Sequence, residues 1–144
     1  MRNAMLAPVP QIHLESAEGL RDGDVLFGSR LWELFEGDEV TQGLPLFIVA
    51  THPPEKRVPG EAVVEWEAVF ERYWRAEHLP RELKRLRPPS TSWDREEDWP
   101  GFYQVSSLRR LSEEEQVGVS TFKKRDGDSI SRAFVPHGPL LVQA

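Results

Sequence analysis

Residues 61–76, EAVVEWEAVFERYWRA, constrain this chain more than any other stretch. Two periodicities compete in them. Ala62, Val64, Trp66, Ala68 and Phe70 alternate with Glu65, Glu67 and Glu71, as on a half-buried strand. Val63, Trp66, Phe70, Tyr73 and Trp74 also form a stripe at helical spacing. Val63, Val64, Trp66, Val69, Phe70, Tyr73 and Trp74 are all β-formers, which favours the strand. The Pro59-Gly60 pair before the segment and Pro80 after it suit either reading. A strand here supports a β-rich fold, and a helix would exclude a barrel.

The flanking sequence leans the same way. Val25-Leu26-Phe27 follows the turn chemistry of Asp22-Gly23-Asp24 and reads as a buried strand. Leu44 to Ala50 is apolar on both faces, so it reads as a central strand, with Pro45 near its start. Phe102 to Leu108, Ile130 to Val135 and Leu140 to Gln143 are further strand candidates, and Gln11 to Glu15 suggests a short strand or turn edge. Residues 31–36 fit helix and strand equally. Leu79 to Leu86 reads as a short helix with Pro80 in its first turn. Ser112 and Glu115 have the spacing of a capping box. Residues 1–10, with two prolines and little pattern, read as a leading tail before one domain over 11–144. Strands and long helices do not alternate regularly. The expected class is α+β: a small mixed, partly closed β barrel with two or three short peripheral helices.

Composition narrows the chemistry. The 144 residues contain no cysteine, which excludes thiol nucleophiles, disulfides and thiolate zinc sites. His13, His52, His78 and His137 share no ligand spacing, so neither a metal nor a cofactor is expected. No Walker loop, GxGxxG or GxSxG is present. No apolar run approaches the ~20 residues of a membrane helix, and the first residues have no apolar leader, so a cytoplasmic protein is expected. The net charge of −6 argues against binding driven by phosphate neutralisation alone. The charges nevertheless cluster. Arg81, Lys84, Arg85 and Arg87 form a candidate basic rim, Lys123, Lys124 and Arg125 a second run, and Asp94, Glu96, Glu97 and Asp98 an acidic one.

The five tryptophans are the most informative residues. Trp66 and Trp74, on the long element, are expected in the core. Trp93 and Trp99 flank an acidic loop that is long for so small a chain, and loops of that kind are commonly functional. A flat indole offers a stacking face to a base, and a neighbouring Asp or Ser can hydrogen-bond its edge.

The segments Gly23-Asp24-Val25-Leu26-Phe27-Gly28 and Gly43-Leu44-Pro45-Leu46-Phe47-Ile48-Val49-Ala50 resemble the opening of PUA-like domains, closest to the EVE and ASCH branches. Phe102-Tyr103-Gln104-Val105 is similar to their later Y-x-V strand, and the likeness spans about residues 20 to 142. The resemblance implies a binding module for RNA, single-stranded DNA or a modified nucleotide, with its pocket between barrel strands. Ser29 and Arg30 would lie at the mouth, and Trp93, Asp94 and Trp99 would come from a covering loop. Trp32 and Tyr103 complete the candidate aromatic site, with Arg81, Lys84, Arg85 and Arg87 on the nucleic-acid backbone. Two other readings stand beside it: a small hydrolase using His52 or Asp94, and an accessory protein with exposed tryptophans as interface anchors. The oligomeric state is not readable from the sequence.

Overall fold

The computed structural model describes residues 2–18, 20, 23–56, 60–93 and 99–144. Strand β1 (Asn3–Pro10) runs into helix α1 (Gln11–Ala17). Strand β2 (Val25–Ser29) precedes the single helical turn α2 (Glu33–Glu36). The long strands β3 (Pro45–Thr51), β4 (Val63–Arg75) and β5 (Gly101–Arg110) follow. Then come β6 (Val117–Gly118), β7 (Lys123–Lys124) and β8 (Leu140–Gln143). Short 3-10 segments at Ala76–His78, Arg81–Leu86 and Pro89–Trp93 fill much of the passage from β4 to β5.

The class is α+β. Eight strands form one mixed sheet in the order β2-β5-β4-β3-β1-β8-β7, with β6 beside the start of β4. β1 runs parallel to β3, and the other pairings are antiparallel. Among the described residues no pairing joins β2 to β7, so the sheet is not closed.

Residues 63–75 are strand, because both edges of β4 find partners: β3 on one side, β5 and β6 on the other. Ala68 and Phe70 then alternate inward with Trp66, into a core shared with Met5, Val25, Ile48 and Tyr103. Register shifts at Glu67/Val69 and Phe70/Arg72, with Ser107 at φ 56°, add local twist to the β4–β5 pair.

Several expectations change. Residues 3–10 are not a tail but β1, paired to β3 and β8. Met5, Ala7 and Val9 enter one core, whereas Ala4 and Leu6 enter a second on the other face with Val119, Phe122 and Ile130. A strand buried on both faces shows no alternation. Its prolines fit because β8 pairs only with Asn3–Leu6, leaving that side of Pro8 and Pro10 without a ladder partner. Gln11 to Glu15 belong to helix α1, which buries Leu14 and Ala17. A five-residue window cannot separate a period of 2 from one of 3.6. Ile130 to Val135 make no strand: Ile130 is buried, but the segment turns away after a single bridge at Ser129.

Ser112 and Glu115 do meet, but they close a turn rather than start a helix. The Ser112 N–H and hydroxyl each donate to Oε1 of Glu115 at 3.1 Å. Arg109 donates to both oxygens of that carboxylate and to Glu67. These partners, Arg109 first and Ser112 next, hold the Glu115 carboxyl down at about 2. A depressed folded pKa stabilises the native state above the ordinary value of 4.5, and that contribution fades as the pH falls towards 2. Carbon-detected NMR of the Glu115 carboxyl should therefore give a midpoint near 2. In Arg109→Ala the midpoint should return towards the ordinary value of 4.5. An unchanged midpoint would mean that Arg109 is not its partner.

Candidate functional site

One face of the β2-β5-β4 corner carries a row of aromatic side chains. In register, Gly28 lies opposite Phe102, and Phe102 lies opposite Trp74. Gly28 leaves room for an indole: a Cβ there would come within 2.7 Å of the Trp99 ring. The row thus reads Trp99, Phe102, Trp74 across three strands. Leu26 and Leu86 pack with Phe102, and Leu79 and Leu83 add apolar contact. A glycine inside a strand is the sequence signal for such a close approach.

Arginines cap this row. The Arg30 guanidinium stands 5.1 Å from the Trp99 ring centre, and Arg72 stands 4.0 Å from that of Trp74. The Trp74 indole N–H donates to Oε1 of Gln104 at 3.1 Å, which orients the ring. Arg87 lies over Phe102 at 5.2 Å and donates through Nη1 to the Leu26 carbonyl at 2.9 Å. The 3-10 segment before it presents Arg81, Lys84 and Arg85 to solvent. Among the described residues, Arg30, Arg72, Arg81, Lys84 and Arg85 enter no ion pair.

Beside this face, a narrow cleft opens between the end of β1 and the edge of β2. Pro8, Pro10, His13, Gly28, Trp99 and Tyr103 are among its walls, with Arg87 and Thr91. Its volume of about 50 Å³ is far below the ~300–1,000 Å³ of ordinary ligand pockets. A base cannot enter it, so any stacking takes place on the open side of Trp99. Behind the cleft, Nδ1 of His13 meets the Ser90 hydroxyl at 2.6 Å, and Ser90 meets Ser16 at 2.8 Å. This chain of contacts fixes α1 against the 89–93 segment.

The predicted residues divide accordingly. Arg30, Trp99, Arg81, Lys84 and Arg85 share the outer face or its rim. Arg87 is turned inward and is only 8% exposed, so it braces the floor instead of offering its charge to the surface. Ser29 is buried, and its hydroxyl is engaged by the Leu31 backbone. Tyr103 is buried against Phe27 and Phe35, and burial raises its pKa against the opposing charge of Arg87. Trp32 is exposed at the start of α2, and its ring lies under Arg75, which pairs with Glu36. Trp93 ends the 89–93 segment, and Asp94 with the acidic run to Asp98 lies outside the described residues. Trp66 is in the core as expected, whereas Trp74 is only half-buried. Arg72 and Gln104 were not singled out by sequence. The i, i+2 spacing of Arg72 and Trp74 on a strand was the available signal.

Elsewhere a cavity of about 240 Å³ lies among Phe47, Leu111, Val117 and Phe122, on the other core and away from the predicted residues. Among the described residues no three His, Asp or Glu side chains gather as a metal site, and no helix is long and apolar enough to cross a membrane. No family model matches this chain, and neither a curated protein nor a solved structure matches it.

Proposed function

We propose that this protein is a PUA-like binding module for single-stranded nucleic acid or a modified base, held by stacking on Trp99 with phosphates on the adjacent cations. The observation that carries the reading is the Arg30–Trp99 stack beside Arg81, Lys84 and Arg85, cations without acidic partners among the described residues. The magnitudes favour exchange of the guanidinium for a base. An exposed Arg–Trp contact is worth about 0.5–1 kcal/mol. A base stacked on an aromatic ring is worth about 1–3 kcal/mol. The displaced Arg30 then becomes a phosphate ligand. Val9 and Pro10 line one narrow cleft with Phe27 and Gly28, and that approach of β1 to β2 supports a partly closed barrel of PUA-like type. A cytoplasmic setting belongs to the same proposal, supported by the cysteine-free composition.

Tryptophan fluorescence titrated with short RNA, single-stranded DNA and modified nucleosides, at two salt concentrations, tests this. Quenching is expected, with affinity falling as salt rises. Trp99→Ala should weaken binding about tenfold or more in protein that circular dichroism shows to be folded. Absence of any response from all three ligand classes overturns the proposal.

A further inference from the structure

Resting on that reading, we infer that the site has two stacking positions, Trp99 and Trp74, on either side of the 81–87 segment, and that its ligand is a strand of about four nucleotides. Both indoles belong to the same cross-strand row and pack against the same cluster of Leu26, Leu86 and Phe102. The middle of the row is closed: Leu86 packs on Phe102 and Arg87 lies over it. The ends are open, since both indoles are half-buried and each carries an exposed arginine that makes no ion pair among the described residues. The two ends therefore repeat one device, an exchangeable Arg–Trp stack.

The spacing sets the ligand length. β2 and β4 are separated by β5 alone, so the two platforms stand roughly 10 Å apart, two strand spacings of about 4.8 Å. Stacked bases advance about 3.4 Å per step, so that gap is about three steps. Bases one and four occupy the two tryptophans, and the phosphates between them cross the segment that carries Arg81, Lys84 and Arg85. The Gln104 bond to the Trp74 indole keeps the second platform oriented before ligand arrives. One stacked base makes the binding of the second intramolecular, so affinity rises stepwise once the strand is long enough to reach.

A length series of oligonucleotides of one, two, four and six residues, as RNA and as DNA, at one salt concentration, tests the inference. Four residues should bind at least about tenfold tighter than two, with a much smaller gain from four to six. Trp74→Ala should remove the step between two and four, and one- and two-residue ligands should then fill one site per protein where the native protein offers two. Arg72→Ala, an exposed substitution, should shrink the gain in affinity from two to four residues. A smooth rise with length that Trp74→Ala leaves unaltered overturns the second platform and spares the first. Failure of every length to bind overturns the parent reading and this one together.

Discussion

Replacing Arg87 by alanine is expected to destabilise the protein by about 3 kcal/mol, from the lost charge-assisted hydrogen bond and the lost packing of its stem. In a chain of this size that is a fall in Tm of roughly 6–12 °C. The side chain is buried, lies over Phe102 and holds the Leu26 carbonyl at the open edge of β2. Arg81→Ala should behave in the opposite way. Its Tm should stay put, and the slope of log affinity against log salt should fall by about 1. If Arg87→Ala instead keeps its Tm and lowers only the salt slope, the residue faces solvent and the floor of the site is wrongly drawn.

Trp66→Ala should cost about 3–5 kcal/mol, the range for emptying an aromatic site in a core. Trp66 is 1% exposed, with Arg110 stacked 4.7 Å from its ring centre. The phenylalanine variant separates two contributions. The buried indole N–H of Trp66 has no hydrogen-bond partner among the described residues, so its removal relieves an unsatisfied donor. Trp66→Phe should therefore cost only roughly 1–2 kcal/mol, read as a shift in the denaturation midpoint at constant m-value. Equal losses for Phe and Ala would show that the N–H is engaged after all.

The two arginines illustrate what a sequence can and cannot carry. Arg81, Lys84, Arg85 and Arg87 fall within seven residues and look alike as a basic cluster. Three of them face water, and the fourth is buried, because the 3-10 segment closes with Leu86 and Arg87 laid on Phe102. Nothing local distinguishes Arg87; Phe102 is a distant residue on another strand. The tryptophans divide for the same reason. Trp66 sits mid-strand among alternating apolar residues, and its burial was legible from that pattern. Trp74 shares its strand, but the shift at Phe70/Arg72 comes between them, and Trp74 lies with Phe102 and Leu26 on the outer face.

The strands were not equally legible, and position in the sheet is not what separates them. β2 and β3 announced themselves by apolar runs that follow a glycine, Val25-Leu26-Phe27 after Gly23 and Leu44 to Ala50 after Gly43. β1 did not, since a strand covered on both faces and broken by prolines has no period to detect. From the sequence alone come the β-rich class, the place of the apolar strands β2 and β3, and the burial of Trp66. These are local matters, settled by which side chains tolerate a pleated or crowded backbone. Long-range pairing settled that residues 63–75 are strand and not helix, that residues 3–10 are central, and that Trp99 and Trp74 lie in one row. Each of those depends on a hydrogen-bonding or packing partner far away in the chain, and a partner's presence is not written in a residue's own neighbourhood.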